Sequence, residues 1–137
     1  MKSPLLLTLL IGIALISCTK REITYTDAMV PRIDSLLEEY NLPVNKVLIL
    51  PSSGCSGCIR GAERYFMDHV NDDSLLFILT EVHSLKMLKI RFGSGIIFNE
   101  NVYIDTLNYF YPYHFEEVIY PYIGDVSNGK LSRFYPF

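Results

Sequence analysis

Apolar positions along the chain follow two different patterns, and each predicts a different element. Spacings of three and four residues place apolar side chains on one helix face, whereas short continuous apolar runs are typical of strands buried on both faces. The first pattern predicts helices from Asp27 to about Asn41, over 55–70, and from Leu85 to Phe92. The second predicts strands at KVLIL (46–50), SLLFILTEV (74–82) and NVYIDT (101–106).

The C-terminal stretch YPYIGDVSNGKLSRFYPF (120–137) predicts two antiparallel strands. Asn128-Gly129 lies between them, and this dipeptide is the strongest short hairpin signal. The segment from Leu107 to Glu117 is predicted only as loop and helix. Three alternating strand and helix units followed by an antiparallel pair predict a layered α/β domain. Residues 27–137 have the size of one such domain.

The N-terminus has the pattern of an export signal. A basic start is followed by an apolar run over 5–16, which is shorter than the roughly 20 residues that span a bilayer. The tetrapeptide Leu-Ile-Ser-Cys at 15–18 resembles the lipobox of bacterial lipoproteins. That resemblance implies a signal peptide over 1–17, a lipid on Cys18 and a tether over 18–26. A plain signal peptide, or an N-terminal anchor with an incidental cysteine, is the alternative.

Thr19 follows the lipidated cysteine, instead of the aspartate that marks inner-membrane retention in many bacteria. We therefore expect an outer-membrane lipoprotein that faces the periplasm. The formal net charge of −3 becomes about −4 once Lys2 leaves with the signal, which argues against a nucleic-acid partner. An exported protein also works in an oxidising compartment, where disulfide bonds form and persist.

The two remaining cysteines, Cys55 and Cys58, lie between a predicted strand and a predicted helix. They are a redox couple, half of a metal site, or part of an ordinary turn. A bridge between them would close a very short loop and stabilise the fold little, so chemistry is the better explanation. A helix N-terminus favours a thiolate over a thiol. Cys55, expected to be the more exposed of the two, is the expected nucleophile, and Cys58, one turn inside the helix, is the cysteine expected to resolve a mixed disulfide.

From Lys46 to Phe134 the chain resembles the thioredoxin-like superfamily, and within it the exported TlpA/ResA-type thiol-disulfide oxidoreductases. The resemblance rests on the strand leading into Cys-Ser-Gly-Cys and on YPYIGDVSNGKL (120–131). It implies a three-layer sandwich, no cofactor, and protein thiols or disulfides and an upstream redox protein as partners. It also implies that Pro121 is a cis-proline facing the cysteines. Without the resemblance, a trans bond is expected at Pro121, because few X-Pro bonds are cis.

Several positions depart from the family pattern or allow two interpretations. Gly54 replaces a common tryptophan, Ser56-Gly57 replaces the usual Gly-Pro pair, and the chain ends at Phe137 without the closing C-terminal helix. The changes around the cysteines leave the redox potential and the choice of partner open. The missing helix leaves one sheet face thinly covered, which is compatible with a member that binds and does not catalyse. Glu81 ends the second predicted strand, where the family carries an acidic proton relay. The alternative for Glu81 is a solvent-facing strand end.

A second hypothesis uses the same cysteines without catalysis. The domain would be a binding module, or a metallochaperone that holds copper or zinc through the two thiolates. Peroxide reduction by Cys55 is a weaker third hypothesis, because the threonine-rich pattern that activates such cysteines is absent before Cys55. Three histidines are spaced too irregularly to predict a metal site: His69, His83 and His114. Three methionines are too dispersed for a copper-binding cluster and are predicted to lie in the core: Met29, Met67 and Met87. Core or rim packing explains the aromatic residues of 109–113 at least as well as a ligand groove.

Overall fold

The computed structural model describes residues 23–54, 56–111, 115 and 121–137. Its helices are α1 (Tyr25–Tyr40), α2 (Ser56–His69) and α3 (Leu85–Phe92), with a short 3-10 helix at Ser94–Phe98. Its strands are β1 (Lys46–Pro51), β2 (Leu75–Thr80), β3 (Val102–Ile104), β4 (Tyr122–Ser127) and β5 (Lys130–Pro136). The predicted α/β class is confirmed. The predicted signal peptide, Cys18 and most of the predicted tether lie outside the described residues.

The strands form one mixed sheet in the order β3-β2-β1-β4-β5. The first three strands are parallel, and the register places Leu48 of β1 beside Phe77 of β2. The last two are antiparallel, with Ile49 of β1 beside Tyr122 of β4. The predicted turn at Asn128-Gly129 is confirmed, because both residues adopt the left-handed backbone that a tight hairpin requires.

Side-chain alternation along the central strands builds a core on each side of the sheet. Val47 and Ile49 point towards α1, whereas Leu48 and Leu50 point towards α2 and α3. The α1 side buries Met29 and Ile33 completely, and the other side does the same with Ala62, Phe66 and Phe77. The sheet therefore lies between two helical layers, and burial of each large apolar side chain stabilises the fold by roughly 1.5–3 kcal/mol.

Helix α1 begins at Tyr25, two residues before the predicted start. Thr24 accepts a hydrogen bond from the Asp27 amide, and the Asp27 carboxylate accepts one from the Thr24 amide, which forms a capping box. Pro31 consequently lies inside the helix and not in its first turn. The helix ends as predicted at Asn41, which has a left-handed backbone. Tyr25, placed in the tether by the sequence prediction, is buried in the core.

The prediction that three methionines lie in the core is wrong for two of them. Met29 is fully buried, but Met67 is 48% exposed and Met87 is 62% exposed. Met67 lies on the outer face of α2, and α3 buries little besides Leu88. Within the part of the chain that is described, no helix has the length and apolar character needed to cross a bilayer.

Candidate functional site

The three parallel strands end at the same edge of the sheet, and a polar residue follows each of them. Ser52 follows β1, Glu81 follows β2 and Asp105 follows β3. Backbone hydrogen bonds keep these residues in line, since the Ser52 amide donates to the Thr80 carbonyl and the Asp105 amide donates to the Leu79 carbonyl. Three loops with polar side chains therefore converge at the carboxyl edge, where open α/β sheets place their sites.

The described part of the cysteine motif follows the loop after β1 at this edge. Cys55 lies outside the described residues, whereas Cys58 lies half-buried in the first turn of α2, which begins at Ser56. The preceding Gly54 has φ of 147°, a backbone conformation that residues with a side chain rarely adopt. This conformation gives a physical reason for glycine where the resembled family commonly carries tryptophan.

Glu81 has a backbone conformation that is unusual for a residue with a side chain. Its φ is 59°, in the left-handed region, and this turn ends β2 at Thr80 where the sequence predicted a strand to Val82. The Glu81 amide donates a 3.0 Å hydrogen bond to Oδ1 of Asn108. Asn108 itself has φ of 58°. The loop after β3 thus holds the backbone of Glu81 in place.

The Glu81 carboxylate points towards the loop that leads into the cysteine motif. Its Oε2 accepts a hydrogen bond from the hydroxyl of Ser53, and its Oε1 lies 3.8 Å from Nε2 of His83. The Glu81 side chain is 12% exposed, whereas that of His83 is 74% exposed. A shielded carboxylate is therefore hydrogen-bonded to Ser53, which precedes Cys55 by two residues.

Asp105 organises the loop after β3. Its carboxylate is 1% exposed and accepts three hydrogen bonds, from the Thr80 hydroxyl at 2.8 Å and from the amides of Tyr109 and Phe110 at 2.9 and 2.8 Å. The Tyr25 hydroxyl donates to the Phe110 carbonyl at 2.9 Å, which connects this loop to α1. Burial raises the pKa of Tyr25, so its hydroxyl remains a donor even at an alkaline pH where an exposed tyrosine ionises.

Sequence reasoning missed Ser53, Asp105 and Asn108. The available signal was modest: a polar residue directly after each short strand, and an asparagine in the loop that follows. Phe110 is buried in the α1-side core, as the packing alternative for the aromatic residues of 109–113 required, but Tyr109 is 56% exposed.

Pro121 is fully buried and lies immediately before β4. Because Ile49 pairs with Tyr122 in antiparallel register, one further step places Pro121 beside Leu50, close to the loop that begins at Ser52. The Pro121 carbonyl accepts a 2.8 Å hydrogen bond from the amide of Phe137. Tyr120 lies outside the described residues, so the cis bond between Tyr120 and Pro121 stays a prediction.

Two clefts open on either side of Arg91. A cleft of about 350 Å³ lies between the loop after β1 and the start of α2, and a cleft of about 520 Å³ lies between the loop after β2 and α3. Ser52 and Arg91 line both. The Arg91 guanidinium pairs with Glu63 and approaches the Ser52 carbonyl at 3.5 Å, so it fixes the ridge between the two clefts.

The histidines do not converge on the cysteine motif in the described chain. His69 ends α2, where its ring stacks on Tyr65 at 4.2 Å and its Nδ1 lies 2.8 Å from the Tyr65 carbonyl. His83 lies near Glu81, and His114 lies outside the described residues. Among described residues, no three or more His, Cys, Asp or Glu side chains are arranged to hold a metal ion.

Comparison of the chain with protein-family models, with curated proteins and with solved structures finds no match.

Proposed function

We propose that this chain is a thioredoxin-like thiol-disulfide oxidoreductase that acts on protein partners through Cys55 and Cys58. One observation carries the proposal: the Glu81 carboxylate, held in a left-handed backbone, accepts a hydrogen bond from Ser53 beside the cysteine motif. Within reach of a dithiol, a shielded carboxylate would be suited to accepting and returning a thiol proton.

The position of the motif supports the same function. Cys58 lies in the first turn of α2, where unpaired amides and the helix dipole favour a thiolate. The strand order β2-β1-β4-β5 is compatible with a thioredoxin-like sheet, and β3 adds one parallel strand at the edge. The position of Pro121 beside the end of β1 also agrees with a proline that faces the cysteines.

The exchange proceeds in two balanced steps. The Cys55 thiolate attacks one sulfur of a partner disulfide, forms a mixed disulfide and releases the other partner sulfur as a thiolate. Cys58 then loses its proton, attacks the sulfur of Cys55 and releases the second partner sulfur. Two electrons pass to the partner, whose two sulfurs take up one proton that Cys58 released and one proton from solvent, and a Cys55–Cys58 disulfide remains. The reverse sequence oxidises a partner dithiol. Glu81 is the proposed acceptor of the Cys58 proton.

Trapping of the mixed disulfide tests this function. In Cys58→Ala no second cysteine resolves the mixed disulfide. We therefore expect disulfide-linked partners on a non-reducing gel and loss of insulin reduction. Cys55→Ala is the matched control and should trap few partners or none. Equal trapping by both variants would overturn the assigned order. No trapping, together with tight Cu(I) or Zn(II) binding by the reduced protein, would favour the metallochaperone.

We also propose that a lipid on Cys18 tethers the domain to the outer membrane on the periplasmic side. Six residues, 19–24, separate Cys18 from α1, so an extended tether reaches about 20 Å. The domain would then work close to the membrane surface. A palmitate analogue should label the wild type and not Cys18→Ala, and labelling that persists in the variant would exclude the lipid anchor.

A further inference from the structure

The segment that forms one wall of the larger cleft has an unusual charge distribution. Residues 82–91 carry three cations, Lys86, Lys89 and Arg91, and no acidic residue, although the whole chain has a net charge of −3. All three cations belong to α3. Arg91 is already paired with Glu63, whereas no described residue forms an ion pair with Lys86 or Lys89. Two cations of α3 are therefore available to a partner.

Helix α3 also exposes apolar side chains towards the same cleft. Its buried residue is Leu88, while Met87 is 62% exposed and Ile90 is 68% exposed. Met87 and Ile90 both line the cleft, and Val82 adds to its apolar wall. Lys86 precedes Ile90 by one helical turn, so the two side chains are neighbours on the surface of α3. A cation thus borders an apolar surface.

The cleft is continuous with the candidate redox site. Ser52 and Glu81 line it, and Glu81 is hydrogen-bonded to Ser53 in the loop that leads to Cys55. A volume of about 520 Å³ accommodates one or two inserted side chains. A concave surface of this kind fits a protruding peptide segment better than a flat bilayer.

We propose that this cleft binds an extended segment of the partner protein whose reacting cysteine is flanked by an apolar residue and by acidic residues. The inference rests on the proposed function, whose substrate class it names. The apolar residue contacts Met87 and Ile90, and the acidic residues lie against Lys86 and Lys89. Charges at the rim of such an interface act mainly on the association rate and on its salt dependence.

Two disulfide peptides of one sequence test the proposal, one with aspartates and a leucine beside the cysteines and one with lysines replacing the aspartates. The reduced protein should reduce the acidic peptide with a kcat/KM about tenfold higher at low salt, a preference that falls as salt is added. Lys86→Glu should abolish the preference. Lys130→Glu makes the same charge change at an exposed position of the β4–β5 hairpin and should preserve it. Ile90→Ala should weaken reduction of both peptides equally.

A small neutral disulfide, bis(2-hydroxyethyl) disulfide, separates this inference from the proposed function. All variants should reduce it at the wild-type rate, and failure of the wild type to do so would overturn the oxidoreductase. If the wild type reduces the small disulfide but reduces both peptides at equal rates, the proposed binding cleft would be overturned and the oxidoreductase would stand. The same conclusion would follow from a Lys86→Glu effect confined to binding of anionic phospholipid vesicles, which would indicate a membrane contact.

Fluorescence anisotropy of the acidic peptide with serines replacing its cysteines should show binding to the wild type and weaker binding to Lys86→Glu. Equal binding to the two proteins would also overturn the proposed binding cleft.

Discussion

Two carboxylates follow neighbouring parallel strands at the same edge of the sheet, yet their surroundings differ. Asp105, after β3, is 1% exposed and accepts three hydrogen bonds, one from Thr80 at the end of β2 and two from backbone amides in the loop after β3. Glu81, after β2, accepts one from Ser53 and lies near the exposed His83. The bonds to Asp105 fix a loop, whereas the shielded Glu81 carboxylate accepts a single side-chain hydrogen bond from the described residues.

The backbone reinforces this contrast. Glu81 has φ of 59°, which costs a residue with a side chain about 1 kcal/mol relative to glycine. Strain of this kind persists where the surroundings hold it, and it is concentrated at functional sites. Here Asn108 holds the Glu81 amide, and Asn108 belongs to the loop that Asp105 organises. The structural carboxylate therefore supports the position of the candidate functional one.

Replacing Asp105 with alanine should have the largest effect on stability. The change leaves the Thr80 hydroxyl and two backbone amides buried without their acceptor, so we expect a loss of about 3 kcal/mol in the free energy of unfolding. Urea denaturation should show a lower midpoint with little change in slope.

Asp105→Asn is the matched control because it keeps one carbonyl oxygen as an acceptor. Its loss should be smaller than that of Asp105→Ala, and its Glu81-dependent chemistry closer to that of the wild type. A loss below about 1 kcal/mol for Asp105→Ala would mean that water replaces the carboxylate and that the loop does not depend on it.

The contrast between these carboxylates also marks the limit of sequence prediction. The strands β1 and β2 and the Asn128-Gly129 turn were predictable because adjacent residues determine them. The bonds from Ser53 to Glu81 and from Glu81 to Asn108 span 28 and 27 residues, and neither partner carries a local signal of the other. The burial of a methionine likewise depends on what covers it, which is why the core prediction was wrong for Met67 and Met87.

Two substitutions of Glu81 should distinguish the effect of its backbone conformation on stability from the effect of its carboxylate on exchange. Glu81→Gly and Glu81→Ala both remove the acceptor of the Ser53 hydroxyl, but glycine adopts φ of 59° without strain. We expect Glu81→Gly to be about 1 kcal/mol more stable than Glu81→Ala. Both should slow thiol-disulfide exchange by at least about tenfold, through loss of the proton acceptor.

Stability should be measured by urea denaturation and exchange by stopped-flow reaction of the reduced protein with a small disulfide. Glu81→Gln retains an oxygen for Ser53 but cannot accept the proton. An unchanged rate in Glu81→Gln would assign the carboxylate a structural role like that of Asp105, and the contrast between the two residues would disappear.

A third carboxylate, Asp125 on β4, should give the smallest effect and a different pH dependence. It forms ion pairs with Lys46 and, at 2.7 Å, with Arg133 near the protein surface, where such pairs contribute little. The hydrogen bond from Lys46 holds the pKa of Asp125 below its usual value. A carboxylate with a lowered pKa stabilises the fold above its unfolded pKa of about 3.9, and this contribution is lost as the pH falls through the folded value.

The free-energy difference between wild type and Asp125→Asn should therefore be constant near neutral pH and shrink below about pH 4, where both side chains become uncharged. Added salt should reduce it as well, because exposed pairs are screened. Denaturation of the two proteins across this range measures the difference. A gap that persists in acid would mean that Asp125 acts through hydrogen bonds that asparagine cannot make, as we expect for Asp105, and that charge pairing with Lys46 is not its main contribution.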